Sequence, residues 1–114
     1  MEMIDERRLK RHQLIYYLST FDSNKKEAIG HIIDIATEGA KLLSETTIPV
    51  GKKIKIYIIL PRGFSDIDHF EVEAESVRNS RDINISFYDT GIRFINANQQ
   101  VKHIIECLIN EYGF

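Results

Sequence analysis

The sequence has one cysteine, two prolines, no tryptophan and no hydrophobic run long enough to cross a bilayer. A lone Cys107 excludes an internal disulfide and any multi-cysteine metal site, and it is expected buried within a helix. The longest apolar stretch falls far short of the roughly 18 residues that a membrane span requires. The first residues are charged where a secretory leader would turn apolar, so a cytoplasmic protein without membrane insertion is expected. Positive charge is also scarce in bulk. Fifteen Lys and Arg against 17 Asp and Glu give a formal net charge of -2, which excludes a general affinity for DNA, RNA or anionic lipid. Any anion site must be local.

Catalytic and cofactor patterns are missing as well. His12, His31, His69 and His103 fall on four different expected elements, and none has the i, i+4 spacing to another histidine that a helical metal pair needs, so no metal is expected. The glycines form neither a G-x-G-x-x-G nor a P-loop. No serine stands in a nucleophile elbow, and no cofactor or enzymatic activity is expected.

What the chain does have is apolar material for one core, 43% of its 114 residues, in a length that suits a single domain. "QLIYYLSTFD" and "AIGHIIDIA" read as two strands around the turn "SNKKE". "GAKLLSE" reads as a third strand, and "KIKIYIIL", after the turn "IPVGK", as a fourth with Lys53 and Lys55 facing water. "HFEVEAESV" alternates Phe70, Val72 and Ala74 against Glu71, Glu73 and Glu75, which marks a half-buried fifth strand. "RNSRDINISFYDT" reads as irregular, and "GIRFIN" as the last strand.

Beyond it the period becomes helical. Val101, Ile104, Ile105, Leu108, Ile109 and Tyr112 fall on one stripe, with Asn96 as N-cap, Gln99 at the capping-box position and Gly113 as terminator. The stripe must be buried, either against the sheet or in a homodimer. The expected fold is a mainly β domain: a six-stranded antiparallel barrel of split, Greek-key type with one C-terminal amphipathic helix. Residues 1–13 are expected to form a flexible basic arm, 14–96 the barrel and 97–113 the helix.

The cationic side chains concentrate in "DERRLKRH". Arg7 and Arg11 are four apart, a spacing that puts them on one side in either a helix or a strand. Two guanidinium forks on one side suit phosphate oxygens, the O6/N7 edge of guanine, or stacking on a purine. Arg8 adds a third. The plainer reading is a solvated terminus whose arginines pair loosely with Asp5 and Glu6, each pair worth ~0.2 to 1 kcal/mol. In "HIIDIATEGA" alternation puts Ile33 and Ile35 inward and Asp34 and Ala36 outward. An outward carboxylate accepts two hydrogen bonds from a guanine Watson–Crick edge, and Gly39 lets the backbone turn sharply and a flat ring approach.

Together these residues resemble the PilZ domain, a bacterial receptor module for cyclic di-GMP. The family pattern is R-x-x-x-R in an N-terminal arm, followed about two dozen residues later by [D/N]-x-S-x-x-G. "RRLKR" matches the first through Arg7 and Arg11, and "DIATEG" the second through Asp34 and Gly39. Further stretches, "LIYYLSTFD", "IGHIIDI", "IPVG", "FYDTGIRF" and "IIECLINEYGF", are similar to the strands and helix of one PilZ subgroup. The resemblance implies a non-catalytic cyclic di-GMP receptor in second-messenger signalling. Arg7, Arg8 and Arg11 would engage guanine and phosphate, and Asp34 and Gly39 the guanine edge and backbone. The arm would fold over the nucleotide and present a changed surface to a downstream protein that controls motility or biofilm formation. One position departs: the motif serine is Ala36, which removes a hydroxyl worth ~0.5 to 1.5 kcal/mol. That departure favours the alternative of a degenerate PilZ-type adaptor that binds only protein. An oligonucleotide-binding barrel would want basic residues and stacking aromatics across a sheet face, and the acidic "FEVEAES" strand opposes it.

Overall fold

A computed structural model describes residues 12–113. Arg7, Arg8 and Arg11 lie outside the described residues, as does the expected arm up to residue 11; His12 and Gln13, assigned to the arm, are the first residues of β1. Six strands follow in chain order: β1 (His12–Asp22), β2 (Glu27–Ala36), β3 (Gly39–Ser44), β4 (Lys53–Ile59), β5 (His69–Arg81) and β6 (Tyr88–Ile95). They close into a barrel in the order β1-β2-β3-β6-β5-β4, with every neighbouring pair antiparallel. One helix, α1 (Gln99–Tyr112), follows among the described residues. The expected barrel-plus-helix architecture is the one observed.

Local chemistry sets the turns. Between β1 and β2, Asp22 Oδ1 accepts from the backbone N–H of Asn24 (2.9 Å) and Lys25 (3.1 Å), an Asx arrangement that starts the turn. The connection from β3 to β4 is tied to β5, where Ser76 Oγ and Asn79 Nδ2 each donate to the Ile48 carbonyl at 2.9 Å.

Alternation fills the core. Phe70, Val72 and Ala74 are buried on β5, facing Ile54, Ile56 and Ile58 of β4, while Lys53 and Lys55 remain exposed. Two departures from simple alternation matter. On β2 the register shifts between Ile32 and Asp34, so Ile33 is the extra residue of a bulge. Ile32 and Ile35 are fully buried and Ile33 is only half-buried, which corrects the expectation that Ile33 faces the core. On β5 the register shifts between Ser76 and Arg78, which makes Val77 the extra, exposed residue.

The second bulge explains a further correction. Residues 78–81 and 88–90, expected to be irregular, are strand. After the bulge the inward positions carry Asn79 and, on β6, Thr90; these polar groups satisfy each other through Thr90 Oγ1 donating to Asn79 Oδ1 at 2.7 Å. Inward polar side chains paired in this way, Thr90 buried and Asn79 half-buried, leave no apolar period to read.

The helix stripe packs on the barrel. Val101, Ile105 and Leu108 are buried and join the same core as Leu14, Leu18 and Leu60. The N-cap is Asn98, whose side chain accepts from the Val101 N–H (2.9 Å), and not Asn96, which instead holds a left-handed φ of 55°. Gly113 ends the helix as expected, its N–H donating to the Ile109 carbonyl (2.9 Å), but with an extended φ of -90°. It also forms an isolated β-bridge with Leu14, which joins the end of α1 to β1. Cys107 is in the helix but half-buried, its Sγ 3.6 Å from His103 Nε2, so the expected burial does not hold.

Candidate functional site

The β2–β3 hairpin carries the second half of the motif. Ala36 pairs with Gly39 across the two-residue turn Thr37–Glu38. The bulge at Ile33 restores the outward parity of Asp34, which stands opposite Lys41 on β3 and Gln13 on β1. Lys41 Nζ lies 3.9 Å from Asp34 Oδ2. Asp34 and Ala36 thus share the outer face with Gly39 and Lys41, as alternation predicts, and both are closely covered, at 9% and 5% exposure.

Gly39 is required here for a reason different from the expected sharp turn. Its φ is not left-handed. A Cβ at this position would collide with the Ile92 carbonyl oxygen of β6, because β3 and β6 pair closely there. The adjoining Glu38 carbonyl accepts from the Phe94 N–H at 2.9 Å and fixes the hairpin against β6.

Two rows of paired residues cross this outer face. In one, Ala36, Gly39, Arg93 and Glu75 stand side by side on β2, β3, β6 and β5. Arg93 and Glu75 form an ion pair. In the other, Asp34, Lys41, Gly91 and Arg78 occupy the same four strands. Beside this row lies Asp89, whose carboxyl is pushed above the ordinary carboxylate value. Burial is the main cause, followed by the neighbouring Asp82 carboxyl, with Lys41 opposing and Asp34 adding to the rise. Asp89 Oδ1 is buried and accepts no hydrogen bond among the described residues. The face is therefore a compact patch of mixed charge in which cations are needed to receive any anion.

Sequence reasoning missed Lys41, Asp89 and Arg78. Lys41 was legible, since alternation from Gly39 puts it outward; Arg78 was not, because the bulge at Val77 reverses its parity. No group of three or more metal-ligating side chains occurs among the described residues, nor does any described helix have the length and apolarity to cross a membrane. A separate concavity of about 450 Å³, lined by Phe21, Tyr57, Ile59, Lys26 and Glu71, lies on the β1–β4–β5 wall away from Asp34.

Comparison with known proteins places this arrangement in a family. The model of the PilZ domain matches residues 5–111, and the chain belongs to that family. No curated protein sequence matches it. Among solved structures, the inhibitor of motility MotI/DgrA from Bacillus subtilis superposes with a TM-score of 0.70 at 12% identity, over 89% of this chain and 49% of that one. The PilZ domain of YcgR from Escherichia coli, solved with c-di-GMP, gives 0.64 at 16% identity, over 89% and 86% of the two chains. YcgR in complex with c-di-GMP gives 0.69 at 15% identity, over 89% and 43%. The chain spans about half the length of MotI/DgrA, and at these identities the likeness speaks to the fold.

Proposed function

We propose that this chain is a non-catalytic receptor for cyclic di-GMP, working in the cytoplasm and passing the signal to a downstream protein. The observation that carries the reading is the pairing of Gln13 with Asp34 and of His12 with Ile35. These pairs set the start of β1 beside the strand that carries Asp34 and Ala36, and Arg11 directly precedes His12 in the sequence; in this reading the arginines reach the β2–β3 face from there. PilZ membership and two structures of YcgR solved with c-di-GMP support the same ligand.

In this reading Asp34 accepts the N1–H and N2–H2 of one guanine. Gly39, without a side chain, leaves the hairpin surface flat beside it, and Arg7, Arg8 and Arg11 supply forks for phosphate and for the purine. The nucleotide orders the arginine segment over the barrel, and the new surface is what a partner recognises. A second reading, a PilZ-type adaptor that binds protein but no nucleotide, is favoured by Ala36 at the serine position of the motif.

Calorimetric titration of the purified chain with cyclic di-GMP separates the two. The receptor gives saturable binding that Arg11→Ala suppresses and that GMP does not reproduce. An absence of heat together with unmoved amide resonances at high ligand would leave the adaptor.

A further inference from the structure

The row that starts at Asp34 ends on an arginine outside both motifs. Arg78 pairs with Gly91, Gly91 with Lys41 and Lys41 with Asp34, so all four positions face outward. Only the bulge at Val77 makes this so. With Ser76 buried, simple alternation would turn residue 78 into the core.

Gly91 then determines the direction of the side chain. The position that a Cβ on Gly91 would take lies 3.3 Å from Arg78 Cγ and 3.7 Å from its Nε. The aliphatic stem of Arg78 therefore lies across β6, over the glycine and alongside the row that contains Lys41. Three strand spacings separate Asp34 from Arg78, about 14 Å between backbones, and the stem covers part of that distance.

Other arginines on this sheet are engaged. Arg93 pairs with Glu75, and Arg81 donates to the Ile85 carbonyl (2.7 Å) and stacks on Tyr88. The Arg78 side chain is exposed and makes no hydrogen bond or ion pair among the described residues. It stands in the same row as Lys41, whose Nζ lies 3.9 Å from Asp34 Oδ2.

Resting on the receptor reading above, we propose that Arg78 is a ligand-binding residue of this chain. With one guanine held at Asp34, Arg78 receives a phosphodiester on the far side of the cyclic dinucleotide. The barrel wall itself then supplies one cation of the site, independently of Arg7, Arg8 and Arg11. A planar, permanently charged fork is the side chain best matched to a phosphodiester.

The test is calorimetry with cyclic di-GMP on the wild-type chain, Arg78→Ala and Arg78→Lys at two salt concentrations, with thermal midpoints measured in parallel. Arg78→Ala is expected to weaken binding about ten- to hundredfold, the span of one charge-assisted hydrogen bond, at an unchanged thermal midpoint. Its affinity should also fall less steeply with added salt, and Arg78→Lys should lie between the two. If the wild type binds and Arg78→Ala binds within twofold of it with the same salt response, Arg78 is not a ligand residue and the receptor reading stands. If the wild type does not bind, both fall together.

Discussion

Asp34 on β2 and Lys41 on β3 face each other directly across the sheet, Lys41 Nζ 3.9 Å from Asp34 Oδ2. The pair holds a carboxylate on the outer face, where the proposed receptor takes a guanine edge. Asp34→Asn keeps the shape and puts a donor where an acceptor is needed. Cyclic di-GMP affinity should fall tenfold or more, since a charged hydrogen bond is worth ~1.5 to 3 kcal/mol. Titration of the variant beside the wild type measures it, and equal affinity would remove Asp34 from the site.

Ala36 stands two residues beyond Asp34 on the same face. Ala36→Ser restores the hydroxyl of the family motif, and a neutral hydrogen bond of ~0.5 to 1.5 kcal/mol tightens binding about two- to tenfold. An affinity unchanged by the hydroxyl would mean that residue 36 does not face the nucleotide.

Gly39 is needed by the strand pairing itself. Gly39→Ala forces a methyl group against the Ile92 carbonyl and must push β3 from β6. Overpacking of this kind costs ~1 to 3 kcal/mol, or several degrees in the thermal midpoint of a domain this size. The loss should be present without ligand. A variant as stable as the parent would show that the backbone shifts freely.

The helix start distinguishes two asparagines. Asn98→Ala removes the side-chain acceptor for the Val101 N–H and should cost ~1 kcal/mol. Asn96→Gly, at a left-handed φ of 55°, should be neutral or mildly stabilising. Urea denaturation of both variants decides the matter, and the reverse order would move the cap to Asn96.

Asp89 gives the domain a pH signature. Its carboxyl is raised above the ordinary value of 3.8, first by burial and then by Asp82. The folded state thus holds the proton more tightly than the unfolded chain. The corresponding stability is fully present below the unfolded value and is lost as pH rises through the folded one. Asp89→Asn should gain stability over the parent at neutral pH, with the gain shrinking towards pH ~4. Chemical denaturation across that range would show a constant difference if the carboxyl does not titrate in this way.

The barrel was legible because Phe70, Val72 and Ala74, and the lysines of β4, follow a strict period of two. The outward face of Asp34 was also legible, though for an incomplete reason: parity came out right at residues 34 to 36 while Ile33 was assigned inward. A bulge leaves no mark in composition, and one extra residue reverses every later assignment. The same physics hid the continuation of β5, where Asn79 and Thr90 fill inward positions with mutually bonded polar groups. Gly39 could be flagged from its type, but the collision that demands it involves Ile92, more than fifty residues away. The cap was misplaced because Asn96 and Asn98 are chemically identical, and only backbone geometry tells a left-handed corner from a capping residue.

The β-bridge between Leu14 and Gly113 fastens the beginning of the first strand to the last turn of the helix. A shift of the opening residues of β1 would therefore have to break this bridge or carry the residue that closes α1 with it.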